Sequence, residues 1–150
     1  MQRSRPFARA RRTFGCMEPL EELRAKIAEF PGYDGDIERR RSDEYVRSYL
    51  GESLANLAPR GAVPVELRQR VDDLVLRVGF ANPADFGARR SVAAANEAHD
   101  VSALAAADAA TVELADRAAS IEPAALGPYL DEVAVTLDRR DAALRAASMS

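Results

Sequence analysis

The stretch from Pro31 to Leu57, PGYDGDIERRRSDEYVRSYLGESLANL, decides the fold. A turn holding Gly32 and Gly35 opens into a run where Val46, Tyr49, Leu50, Ser53, Leu54 and Leu57 return every three or four positions, the period of one helical face. The spacing predicts a helix from about Asp36 to Ala58 with those residues inward. Along its edge Asp36, Arg40, Asp43 and Arg47 form a ladder of alternating sign. The ladder reads as a solvated flank held by i,i+3 and i,i+4 pairs, each worth about 0.2–0.5 kcal/mol. A phosphate- or carboxylate-binding cluster is the competing reading. Arg39 differs from its neighbours, because it falls within the apolar arc and must reach water or find a partner.

The same period extends in both directions. Leu20, Leu23, Ile27 and Phe30 predict a short leading helix that stops at Pro31-Gly32. Downstream, Pro59, Gly61 and Pro64 mark a loop, and Leu67, Val71, Leu74, Val75 and Val78 stripe a helix from about Pro64 to Val78. Gly79 stands where a left-handed terminating residue is wanted, with Phe80 as its apolar contact. Glu66, Arg70, Asp73 and Arg77 repeat the charged ladder on this helix. From Ala81 to Asp100 the pattern fits either a separate short helix or the start of a long one. After about Val101 a long helix has Leu104, Thr111, Leu114, Ala115, Ala118 and Ile121 inward, and a last helix carries Leu126, Leu130, Val133, Leu137 and Leu144. No strand-like alternation competes. The expected fold is all-α, an antiparallel bundle of about four main helices plus a short N-terminal one.

Asp108 sits inside the apolar arc of the long helix, near the faces of Val101, Ala105, Val112 and Ala115. A carboxylate there is costly unless paired. It is expected either at the bundle edge or accepting hydrogen bonds from an arginine on another helix.

Length and charge set further bounds. With 150 residues, one domain with a genuine core is expected, spanning residues 18–147. Residues 1–17 form a separate arm that carries Arg3, Arg5, Arg9, Arg11 and Arg12 without an acid. Against the net charge of −3, this leaves −3 − 5 = −8 for the remainder. The arm reads either as a disordered extension, even upstream sequence ahead of Met17, or as a basic tether for nucleic acid or an anionic membrane, with Phe7 and Phe14 as shallow anchors. Arg11-Arg12-Thr13-Phe14 resembles the core of a twin-arginine export signal, yet Glu18, Glu21 and Glu22 follow instead of an apolar stretch. The single cysteine, Cys16, cannot form an internal disulfide. A cytoplasmic address is expected.

Catalytic constellations are not apparent. The single histidine, His99, excludes the paired Glu-x-x-His motifs of a ferritin-like centre and histidine-rich zinc sites. GYDG and GFANPADFG lack the lysine and preceding strand of a phosphate loop. Asp34 to Asp36 is too short for a calcium loop. No catalytic residue, cofactor or metal ligand is assigned. The polar positions left as interaction or structural candidates are Arg39, Arg40, Asp43, Arg47 and Asp108.

The pattern PGY-x-G followed by Arg39-Arg40-x-x-Asp43-x-x-x-Arg47-x-x-Leu50 resembles a family of uncharacterised bacterial helical proteins of about this length. VDDLVLRVGFANPADF is similar to their second half, and the likeness extends over residues 18–147 with a departure around Gly87 to Asn96. It implies an α-helical cytoplasmic protein with no assigned activity. The functional expectation is a non-catalytic helical protein that acts by protein–protein interaction or self-association, as a homo-oligomer or with a protein partner. The alternative is a small regulator binding nucleic acid or an anionic membrane surface through the basic arm.

Overall fold

The computed structural model describes residues 18–61, 63–80 and 101–149. The arm, Cys16, His99 and the ambiguous span from Ala81 to Asp100 lie outside the described residues. Among the described residues five α-helices pack together: α1 Pro19–Lys26, α2 Asp36–Ala55, α3 Arg68–Gly79, α4 Ser102–Ala118 and α5 Leu126–Met149. Short 3-10 turns, Val65–Leu67 and Pro123–Ala125, lead into α3 and α5. Among the described residues there is no strand, and no helix is long and apolar enough to cross a membrane. The fold is an all-α helical bundle.

Helix ends follow local chemistry. Pro19 opens α1, where its missing N–H costs nothing, with Glu21 and Glu22 in the first turn and Arg24 and Lys26 in the last, matching the helix dipole. The apolar spacing predicted a helix as far as Phe30, but Ile27 is already extended and α1 ends at Lys26. Phe30 is buried because the connection folds it inward. Arg24 holds that turn by donating to the carbonyls of Phe30 and Pro31. Gly32 adopts φ 96°, a left-handed conformation that favours glycine, while a Cβ there would meet only the movable end of the Arg24 side chain, at 2.8 Å.

Helix α2 ends at Ala55, so Leu57 reaches the core from the following turn. The expectation for Gly79 is corrected. It closes α3 in helical conformation, among the described glycines only Gly32 and Gly61 have positive φ, and Phe80 is exposed.

Neighbours in sequence run antiparallel where a short turn joins them, as in α2/α3 and α4/α5. Arg47 at the middle of α2 reaches the Val78 carbonyl at the end of α3, and Gly51 lets Val78 approach to 3.3 Å of where a Cβ would stand. The α1–α2 connection is different. Lys26, at the end of α1, and Tyr49, in the second half of α2, both bond Asp116 of α4, whereas Tyr33 bonds Asp108. Residues 27–35 therefore run back along α4 by eight residues, about 12 Å, before α2 starts in the same direction as α1.

The core has two parts. Leu50, Leu54, Leu57, Val71, Leu74, Val78, Leu114, Leu126, Leu130, Val133 and Leu137 fill one end. Leu23, Phe30, Tyr33, Val46, Leu104, Val112, Leu144 and Ala147 fill the other. On α5 the boundary falls between Leu137 and Leu144, and the residue at that boundary is Arg140.

Candidate functional site

Arg140 belongs to the apolar stripe of α5. Leu130, Val133, Leu137, Arg140 and Leu144 are spaced three, four, three and four, so the fold carries a guanidinium inside along with the leucines. It is 2 % exposed. Its Nε donates to Asp108 Oδ1 of α4 at 2.5 Å, and its Nη2 donates to Asp43 Oδ1 of α2 at 2.6 Å. Asp43 accepts a second bond on Oδ2 from Arg47 Nε at 2.8 Å, and Arg47 Nη1 continues to the Val78 carbonyl. Asp108 accepts its second on Oδ2 from the Tyr33 hydroxyl at 2.6 Å. The chain Tyr33–Asp108–Arg140–Asp43–Arg47 thus links the α1–α2 connection, α2, the end of α3, α4 and α5.

Beside it, Ser42 is buried and fixes Gly32 from both sides, its hydroxyl accepting from the Gly32 N–H at 3.1 Å and donating to the Gly32 carbonyl at 2.7 Å. Arg39 donates to Asp36 and to the Tyr33 carbonyl, which supplies the partner its position demanded. Thr111 bonds back to the Ala107 carbonyl, and the Tyr129 hydroxyl donates to the Leu114 carbonyl.

The electrostatics are those of a neutral cluster, two carboxylates with two guanidiniums. Burial pushes the Asp108 carboxyl above its ordinary range against the pull of Arg140 and the Tyr33 bond. Tyr33 is raised well beyond an ordinary phenol, by burial first and then by the Asp108 charge and bond. Burial alone would lower Arg140, but Asp108 and Asp43 hold it above its usual value as a fixed cation.

Of the sequence candidates, the fold brings Asp43, Arg47 and Asp108 together. It leaves Arg39 at the start of α2 and Arg40 on the surface. Asp108 takes the second of its two expected outcomes, pairing with an arginine of another helix. The solvated-flank reading of the α2 ladder is corrected at Asp43, which is 3 % exposed and faces α5. The α3 ladder is corrected in a different way, because its arginines bond across to α5 rather than along their own helix. Arg70 pairs with Asp131, and Arg77 with Asp138 and Asp141, both at 2.9 Å. Arg3, Arg5, Arg9, Arg11 and Arg12 lie outside the described residues. Sequence reading missed Arg140, Tyr33 and Ser42. The signal for Arg140 was present as an arginine at a heptad core position.

Elsewhere, a surface recess of about 500 Å³ lies at the α2–α3 turn between Pro59, Gly61, Val63, Arg68 and Asp72, and no member of the buried network lines it. Among the described residues no group of His, Cys, Asp or Glu is arranged to hold a metal. Large apolar side chains are exposed at Ile37 on α2, Val65 ahead of α3, Leu76 on α3, Phe80 just past the end of that helix, and Val135 on α5.

These features define an all-α bundle with a buried ionic layer. No family model, curated protein or solved structure matches the chain.

Proposed function

We propose that this chain is a non-catalytic helical protein that acts by binding protein, a partner or a second copy of itself, through the outer face of α3 and α5. The observation that carries this reading is the exposure of Leu76 on the outer side of α3 and of Phe80 just past its end, by 62 % and 75 %, while Val71, Leu74 and Val78 of that helix are buried in the core. Val135 lies across the Arg77–Asp138 seam, three residues before Asp138 on the same edge of α5. Apolar anchors rimmed by charge are the usual anatomy of a contact surface. The non-catalytic half is supported by the closed network. Both oxygens of Asp43 and of Asp108 already accept bonds from within the fold, so neither carboxylate is presented to a substrate.

Sedimentation velocity over a wide concentration range, with the Leu76→Glu/Phe80→Glu double variant beside the parent, tests the reading. The parent mass is expected to rise with concentration, and the variant to remain monomeric with an unchanged melting temperature. A variant that associates as the parent does removes the face from the proposal.

A further inference from the structure

The charged residues of α3 are not all engaged. Arg70 and Arg77 reach across to α5, and Asp73 accepts from Gln69 at 2.9 Å. Arg68 and Asp72 stand one turn apart at the i,i+4 spacing of a helical ion pair, yet among the described residues neither has a partner, and they do not pair with each other. Basic before acidic is the weaker order for such a pair, since both charges then oppose the helix dipole. Both residues line the recess at the α2–α3 turn, whose volume of about 500 Å³ falls in the range of small-molecule sites.

The recess has fixed walls. Arg60 donates to the carbonyls of Ala118 and Ala119 at 3.3 and 2.7 Å, which ties the turn to the end of α4. Leu57 and Val63 anchor the turn in the core on either side of that tie. Between them Gly61 takes φ 72° and its N–H donates to the Ala58 carbonyl at 2.9 Å. Held in this way, the turn keeps Pro59 and Gly61 as one exposed wall and the first turns of α3 as the other. Val63 and Val71, both nearly buried, supply an apolar floor.

An occupant complementary to this recess carries both signs of charge close together and a small apolar body. We propose that the recess binds a free α-amino acid with an aliphatic side chain. Its carboxylate takes the Arg68 guanidinium, its ammonium takes Asp72, and its side chain rests on Val63 and Val71. The two protein groups start about 5–6 Å apart at Cβ, so they can bracket an ammonium and a carboxylate carried on one carbon. A guanidinium suits the first role because it meets a carboxylate with two parallel bonds. The site is independent of the contact surface at Leu76 and Phe80, and a failure of either leaves the other standing.

The test is a titration of the full chain with L-leucine, followed by backbone amide shifts. Amides of 58–61 and 68–72 are expected to move together and to saturate in the millimolar range. Arg68→Gln and Asp72→Asn, both at exposed positions, should each weaken binding about tenfold, the loss of one charge-assisted bond, with the melting temperature unchanged. Three further probes act on the parent protein alone, so the outcome does not depend on the variants. Leucine amide lacks the carboxylate, 4-methylpentanoate lacks the ammonium, and glycine lacks the apolar body; each should bind more weakly than leucine. Absence of saturable shifts overturns the proposal, as do shifts centred away from the recess. Equal binding of leucine to parent and variants, or of leucine and any of the three probes, overturns it as well.

Discussion

Helices α2 and α3 carry the same charged ladder, acid–Arg–Asp–Arg at steps of four, three and four, and the fold gives the two ladders opposite fates. On α2, which has α3 on one side and α4 on another, Asp43 is swallowed and ends 3 % exposed on a buried arginine. On α3, at the edge of the bundle, the arginines reach carboxylates whose side chains are 70 % and 73 % exposed. The same alternation of charge at the same spacing therefore differs in worth by the dielectric around it. A pair in water gains about 0–1 kcal/mol. One partner removed from a buried pair strands a charge, at about 3–5 kcal/mol.

The sharpest way to break that contrast is Arg140→Met, which leaves Asp43 and Asp108 facing each other across a dry gap. A loss of about 3–5 kcal/mol is expected, read as a lower urea midpoint at unchanged slope, or as failure to fold. Asp108→Asn should cost less than Arg140→Met. Burial already pushes the Asp108 carboxyl up, so neutralising it returns part of the desolvation penalty even as Arg140 loses one counter-charge. Equal losses for the two variants would mean that burial of Asp108 carries no penalty of its own.

Legibility in the sequence follows the same line. Leu50, Leu74, Leu114, Leu130 and Leu137 were readable because apolar periodicity is a one-helix property, and the core they form is the one predicted. Asp108 was readable for the same reason, as an acid inside an apolar arc. Which arginine answers it was not, because that depends on how α4 meets α5, thirty-two residues apart at the contact. Asp43 was misread as surface since a helical wheel shows an edge but not what lies against it. Tyr33 precedes α2 in a connection with no periodicity at all, and its inward position follows from the Gly32 turn. The return of residues 27–35 along α4 has no sequence signature either.

A smaller effect isolates the outermost bond of the buried chain. Tyr33→Phe keeps the ring in the core and removes only the hydroxyl, leaving Asp108 Oδ2 without that donor. The expected cost is about 1–3 kcal/mol, that of a buried acceptor left unsatisfied, with the slope of urea unfolding unchanged. An unaltered midpoint would show that the connection is held by Phe30 and the Gly32–Ser42 bonds alone.

Titration of the phenols separates buried from exposed by another route. Tyr33 is raised beyond the accessible range, Tyr129 to about 12 chiefly by burial, and Tyr49 to about 12 chiefly by its bond to Asp116. Each keeps its proton in the folded chain after an unfolded phenol, near pH 10, has lost it. Stability is therefore intact below about pH 10 and falls as pH rises above it. The acid limb is mixed. Burial would raise Asp116, but bonds from Lys26 and Tyr49 lower it, so its contribution is lost as pH falls, whereas the raised Asp108 shifts the balance the other way. Absorbance at alkaline pH should show Tyr33 ionising only together with unfolding. If Tyr33 titrated reversibly with the fold intact, its burial against Asp108 would be wrong.

The α3 seam supplies the weakest effect, and the one that tests whether the comparison is about burial at all. Burial would lower the Arg77 value, yet bonds to Asp141 and Asp138 leave it raised, so the guanidinium is a cation at every working pH. Its pair with Asp138 nevertheless meets a carboxylate whose side chain is 73 % exposed, where ordering two side chains offsets most of the Coulomb gain. A double-mutant cycle of Arg77→Ala with Asp138→Ala should give a coupling below about 1 kcal/mol, shrinking as salt shortens the Debye length. The same cycle on Arg140 and Asp108 should exceed it severalfold and hardly respond to salt, since no counterion reaches a pair sealed between two apolar clusters. A seam coupling that matched the buried one, or persisted in high salt, would mean that α3 and α5 are locked by their arginines and that the outer face is part of the framework.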